Sequence, residues 1–171
     1  KLYRTGEYYY RPKGFEIVEA YGLSGPDVAY FYDKTGSTDA FFGSKEYSSH
    51  SGTAFDMRLH DFPTVTAYGS ASEGDVANFR NSDIKDEFIG RVNKSELVDR
   101  TTGGTVYSIT ARTFAESHVE VGAGMSTYQD IAKLYDTTAS EHLIAFLSGG
   151  VPNISMYTNT GALDLLYEVI G

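Results

Sequence analysis

Phe15-Glu16-Ile17-Val18-Glu19-Ala20-Tyr21-Gly22 returns 47 positions later as Phe62-Pro63-Thr64-Val65-Thr66-Ala67-Tyr68-Gly69. The next block, Asp27-Val28-Ala29-Tyr30-Phe31-Tyr32-Asp33, returns as Asp75-Val76-Ala77-Asn78-Phe79-Arg80-Asn81 and again as Asp130-Ile131-Ala132-Lys133-Leu134-Tyr135-Asp136. A third, Asp39-Ala40-Phe41-Phe42-Gly43, recurs as Asp86-Glu87-Phe88-Ile89-Gly90 and loosely as Glu141-His142-Leu143-Ile144. The first two copies keep order and spacing, with one residue inserted in the first turn and one removed from the second. Self-similarity at a fixed period is the sequence mark of a repeat architecture. Phe114 and Val119-Glu120-Val121 stand where Phe62 and Val65-Thr66-Ala67 stood, with a few residues inserted between, and Gly6 to Tyr10 matches Gly52 to Asp56. Residues 1–171 therefore read as a single repeat domain of about three 47–55-residue units: 1–51, 52–103, 104–150 and a partial unit 151–171.

Each block has the period of a strand. Ala29 and Phe31, Ala77 and Phe79, Ala132 and Leu134 stay apolar, while their neighbours Tyr30, Asn78 and Lys133 vary freely. A small and then a large residue on one face, with variable polar residues on the other, is the alternation of a half-buried strand. Ser24-Gly25-Pro26 and Thr35-Gly36-Ser37 supply turn chemistry between blocks. Convincing helix is scarce, although stretches such as Met125 to Tyr135 and Gly161 to Ile170 have a helix-tolerant composition. The fold class expected is all-β. A propeller needs about four to eight blades to close, more than three units provide. An open stack tolerates three, so a repeat solenoid resembling a parallel β-helix is expected, with a duplicated β-sandwich as the alternative. In the solenoid a unit holds either two coils or one coil with a long excursion through Ser44 to Asp61 and Arg91 to Arg112, and these stretches are expected to map to one edge of the stack.

The pattern Ala-Tyr-Gly, then Asp-Val-Ala-x-Phe-Tyr-Asp, then Gly-x-x-Asp-x-Phe resembles tandem repeat modules of very large secreted or surface proteins of planctomycete-like marine bacteria. The resemblance covers most of residues 15 to 145. It departs at Asn81, where an Asp is lost, and at Thr137 to Ser140, where a Gly-containing turn is lost. It implies an extracellular module joined to other domains, with no settled activity.

Composition narrows the function classes. Lys and Arg number 14 against 23 Asp and Glu, a net charge of −9 that argues against nucleic acid or an anionic bilayer as partner. Cysteine is absent, which removes disulfides and thiolate metal sites. No apolar run approaches the roughly 18 residues of a transmembrane helix. The chain opens at Lys1 without a signal peptide, which reads as a mature product or a piece of something larger. Neither a nucleophile elbow nor a phosphate-binding loop followed by a helix is present. Gly69 to Gly74 precedes a strand and reads as a turn. His50, His60, His118 and His142 fall in no metal-binding pattern and read as ordinary surface or loop residues. Catalysis, including polysaccharide lyase chemistry, finds little support.

Two sets of residues remain as candidates. Asp27, Asp33 and Asp39 correspond to Asp75, Asn81 and Asp86, and to Asp130, Asp136 and Glu141. Stacked units would align these oxygens as ladders at successive corners. Calcium takes six to eight hard oxygen ligands, so Asp27, Asp33, Asp39, Asp75, Asp86, Asp130 and Asp136 are its candidate ligands. The competing account is that each Asp caps its own turn by accepting backbone N–H groups. The second set is Tyr30 and Tyr32, at outward parity in a strand, which could present rings to a glycan. Expected partners are neighbouring repeat modules, or a second copy meeting open ends at Gly6 to Tyr10 and Leu163 to Ile170, and polysaccharide. The function expected is an extracellular, cell-surface structural or adhesive repeat module without catalysis. A glycan-binding module attached to a carbohydrate-active enzyme is the alternative.

Overall fold

The computed structural model describes residues 2–4, 8–10, 14–22, 25–80, 82, 86–91, 93–99, 107–120, 131–134, 141–148, 151–158 and 166–170. It is all-β, with two mixed sheets facing one another across a shared core. Among the described residues no helix is long and apolar enough to cross a membrane.

The strands in chain order are β1 (Leu2–Arg4), β2 (Tyr8–Tyr10), β3 (Ile17–Tyr21), β4 (Val28–Tyr32), β5 (Ala40–Gly43), β6 (Tyr47–Gly52), β7 (Phe55–His60), β8 (Thr64–Tyr68) and β9 (Val76–Arg80). They continue as β10 (Asp86–Arg91), β11 (Lys94–Asp99), β12 (Ser108–Arg112), β13 (Glu116–Glu120), β14 (Ile131–Leu134), β15 (Glu141–Ser148), β16 (Val151–Thr158) and β17 (Leu166–Ile170). The eight-stranded sheet runs β14-β10-β11-β12-β8-β4-β1-β2, and the nine-stranded sheet runs β15-β16-β17-β13-β9-β5-β6-β7-β3.

These orders contain a five-strand rhythm. Three strands form an antiparallel meander in one sheet, the chain crosses to the other sheet for one strand, and it crosses back for one more. The meander β5-β6-β7 lies in the nine-stranded sheet, β10-β11-β12 in the eight-stranded sheet, and β15-β16-β17 in the nine-stranded sheet again. Because each unit makes three sheet crossings, an odd number, equivalent strands of successive units fall in opposite sheets: β3, β8 and β13 alternate, as do β4, β9 and β14. The excursions expected over Ser44 to Asp61 and Arg91 to Arg112 are thus the later strands of each meander. They occupy different sheets rather than one edge.

Between units the pairing is parallel and in register. Val28, Ala29 and Phe31 of β4 meet Thr64, Val65 and Ala67 of β8, which in turn meet Ser108, Ile109 and Ala111 of β12. In the other sheet β5, β9, β13 and β17 form a similar parallel run. The inward residues are size-matched. The rows Ala29–Val65–Ile109 and Phe31–Ala67–Ala111 face Phe41–Ala77 and Gly43–Phe79–Val119, so small residues make room for rings from across the core. Phe41 sits at the centre, with ring contacts to Phe31, Phe79 and Phe114 at centroid distances of 6.0, 5.9 and 6.1 Å.

Backbone detail identifies the third copy better than its side chains do. Gly14, Asp61 and Thr113, each just before a repeat Phe, all adopt left-handed φ of 74°, 59° and 58°. The Asp61 N–H donates to the Glu46 carbonyl at 2.9 Å, and the Thr113 N–H to the Asn93 carbonyl, 47 positions on, at 3.0 Å. The strand after Phe114 begins at Glu116, as the strand after Phe62 begins at Thr64. Ser117 and Val119 therefore replace Val65 and Ala67, and the expected insertion is not there. The repeat Gly has a packing reason as well. A Cβ on Gly69 would come within 2.7 to 2.8 Å of three ring carbons of Phe114, so this strand end must stay bare. The stretches judged helix-tolerant contain β14 and β17 instead.

Candidate functional site

The connections β4–β5 and β8–β9 both leave the eight-stranded sheet for the nine-stranded one, so they lie side by side. The residues they bring together are not repeat equivalents. Asp27 lies in the connection between β3 and β4, which crosses in the opposite sense to the one holding Asp75. The expected ladder of equivalent carboxylates therefore does not form between these two. Asp39 of one unit stands beside Asp75 of the next instead. The Asp39 N–H donates to Asp75 Oδ1 at 2.7 Å, and the Ser70 N–H to Asp75 Oδ2 at 2.6 Å. Asp39 accepts the Ser37 hydroxyl at 2.8 Å and, more distantly, the Lys34 N–H at 3.5 Å. One unit later Asp86, the equivalent of Asp39, accepts the Ser82 N–H at 2.5 Å. Asp39, Asp75 and Asp86 are fully buried; Asp39 and Asp75 hold the turns that precede them, as turn capping requires, and Asp86 accepts a backbone N–H in the same way. Asp130 and Asp136 lie outside the described residues.

Asp33 differs from these caps. Its carboxylate, with those of Glu73 and Asp75, places three ligand oxygens within 4.8 Å of one another. Asp33 Oδ1 and Glu73 Oε2 are buried and meet no hydrogen-bond donor. Among the described residues no Lys or Arg side chain pairs with the group. Burial, the adjoining Asp39 carboxyl and the fields of Asp75 and Glu73 push Asp33 up to about 6. Burial also raises Asp75, against the lowering effect of the two N–H groups it accepts. Crowded carboxylates with unused oxygens have two ways of relieving repulsion: bind a proton, or bind a cation. An all-oxygen donor set suits a hard ion such as calcium, with three side chains short of its six to eight ligands.

Glu73 was not among the expected ligands. The one residue inserted in the second unit's first turn produces a 3-10 turn over Ala71–Glu73, closed by Gly74 at φ 79°. That turn carries Glu73 back against the preceding unit. Its Oε1 accepts the Gly36 N–H and its carbonyl accepts the Thr38 hydroxyl, both at 2.8 Å.

Tyr30 and Tyr32 stand on the outer face as their parity predicts. Tyr32 stacks on Tyr68, its in-register neighbour, with centroids 5.1 Å apart and planes 2° apart, and lies 6.4 Å from Tyr30. In-register stacking turns ring faces toward each other, which leaves less flat surface for a sugar. The side chain of His142 lies outside the described residues, and of the three described histidines one departs from expectation. His60 stacks on Tyr21 and His118 pairs with Glu116 at 3.1 Å. His50, in contrast, is wholly buried among Phe31, Phe55 and Phe114.

No protein-family model, no curated protein and no solved structure matches this chain.

Proposed function

We propose that the chain is a non-catalytic structural and adhesive repeat module of an extracellular or cell-surface protein, its units propagating as a β-solenoid. The observation that carries this reading is the parallel, in-register pairing between units: β4 with β8 and β12, and β5 with β9, β13 and β17. Each unit completes its sheets and core only against its neighbours, which is how linear repeat proteins obtain stability. The resemblance to planctomycete-like surface repeats points the same way, and the buried caps serve architecture rather than turnover.

Inserting a second copy of residues 39–85 after Lys85 separates this reading from a closed, duplicated sandwich. Five added strands shared by two sheets lengthen each by half that number on average, about 12 Å at the ~4.8 Å strand spacing. Small-angle scattering should show that growth with a cooperative melt retained. Loss of the cooperative transition, or no growth, sinks the solenoid.

The corner of Asp33, Glu73 and Asp75 supports calcium as a structural ion of the same module. Calcium at about 100 times its Kd stabilises a fold by roughly 2.7 kcal/mol, several degrees for a chain this size. Melting in excess EDTA and in millimolar calcium should differ by that amount, and the difference should vanish in Asp33→Asn. Coincident melts return these residues to turn capping alone.

A further inference from the structure

We infer that the outer edge of β3 is a docking strand for a second copy of this chain, which adds its β14 there in parallel and in register. This deepens the reading as a structural repeat and rests on it.

The repeat itself says what belongs on β3. Its equivalents β8 and β13 each have a parallel neighbour on both sides: β4 and β12 flank β8, and β9 and β17 flank β13. β3 has β7, the counterpart of β12, on one side. Among the described residues nothing pairs with the other, where β8 has β4. The side chains match this vacancy. Phe62 and Phe114 are each 4% exposed, whereas Phe15 in the same repeat position is 66% exposed. Ile17 and Tyr21, at 59% and 62%, are exposed on the same strand region. An uncovered strand edge beside large apolar groups invites strand addition.

The missing strand is of the β4 and β9 type, and the chain holds a third one at an open place. β14, Ile131-Ala132-Lys133-Leu134, pairs with β10 as β9 pairs with β5. β9 has β13 on its far side, whereas among the described residues β14 has nothing there. β14 thus lacks what β3 supplies, and β3 lacks what β14 supplies. Transferring the β9–β13 register sets Ile131 against Ile17, Ala132 against Val18, Lys133 against Glu19 and Leu134 against Ala20. Charges agree with that register. Glu19 is paired with Arg58 at 3.1 Å, and Lys133 with Glu87 at 2.6 Å. Docking sets Arg58, Glu19 and Lys133 in one cross-strand row, and Glu87, diagonal to Lys133 on β10, continues the alternation of sign. The contact joins two different surfaces, so it propagates head to tail rather than closing as a dimer. One short strand pair makes it weak, and trapping is the suitable assay.

The cysteine-free chain allows disulfide trapping without background. Four variants, Ile17→Cys, Glu19→Cys, Ile131→Cys and Lys133→Cys, are mixed in pairs at high concentration under mild oxidation. The in-register pairs 17 with 131 and 19 with 133 should cross-link several-fold more than the crossed pairs 17 with 133 and 19 with 131, which sit one pleat apart. The 17–131 pair leaves both ion pairs intact, so a fold defect from losing Lys133 does not obscure the result. In the wild-type chain, hydrogen exchange of the β3 amides should slow as concentration rises. Equal cross-linking of all four pairs, or concentration-independent exchange, overturns the docking. If the chain with an extra unit still lengthens, only the docking is lost. If that chain fails to lengthen, the repeat reading falls and the transferred register falls with it.

Discussion

Phe62→Ala should cost about 3 to 5 kcal/mol, the range for a fully buried ring truncated in a packed core, while Phe15→Ala should stay within about 0.5 kcal/mol, as an exposed substitution does. The two residues occupy one repeat position 47 apart, follow backbone of the same left-handed kind, and start the same sequence block. What separates them is company. Phe62 is buried with a strand on each side of β8, whereas Phe15 stands at the uncovered edge of β3. Urea unfolding reads both, and an unchanged slope with a lower midpoint would assign the Phe62 effect to lost packing. Nearly equal losses would mean that Phe15 is buried in solution. If that loss in Phe15→Ala grew with protein concentration, the second copy would be the source of its burial.

The same pair shows how far the sequence could be read. Recurrence of Phe, Ala-Tyr-Gly and Asp-Val-Ala-x-Phe made the unit visible, and alternation placed Ala29, Phe31, Val65 and Ala67 inside, where they are. The number of strands per unit was not visible. It depends on β6, β7, β11 and β12, and Tyr-Ser-Ser-His-Ser-Gly has little in common with Lys-Ser-Glu-Leu-Val-Asp. Those stretches read as loops, and the two-sheet layout with its three crossings per unit was hidden with them. An odd number of sheet crossings sends equivalent residues to opposite sheets, so Asp75 meets Asp39 rather than Asp27. Turn capping was legible because it is local: a short carboxylate beside the N–H groups of its own turn. The cluster with Glu73 was not, because it depends on a one-residue insertion and on which connections become neighbours. The burial of His50 is hidden in the sequence for the same reason, since its inward parity in β6 has meaning only once that stretch is a strand.

His50 should make the stability of the fold fall with acid. Its ring is completely buried, Nδ1 and Nε2 have no hydrogen-bond partner, and burial pushes its pKa down to about 4 from an unfolded value near 6.5, despite the opposing charge of Asp39. A base whose pKa is lowered by folding binds its proton more tightly in the unfolded chain. The neutral ring therefore carries no such penalty above pH 6.5, and stability is lost as pH falls from there toward 4. At ~1.4 kcal/mol per pH unit the loss reaches about 3 kcal/mol. Asp33 works against this trend. Its pKa is raised to about 6 from an unfolded 3.8, so its charge destabilises the fold above pH 6 and is relieved as pH falls toward 4. The wild-type profile is then shallower than His50 alone would make it, and two variants separate the contributions. Asp33→Asn should uncover the full loss between pH 6.5 and 4. His50→Leu, close in volume and without ring nitrogens to protonate, should remove the loss and leave a fold that holds or gains stability over the same interval. Urea midpoints across that range test both, and parallel profiles for wild type and His50→Leu would mean that acid reaches the fold through some other group. Calcium supplies an independent check on the opposing contribution. An ion held by Asp33, Glu73 and Asp75 would lower the Asp33 pKa by favouring its charged form. Saturating calcium should then steepen the wild-type profile toward that of Asp33→Asn and leave the profile of Asp33→Asn unchanged.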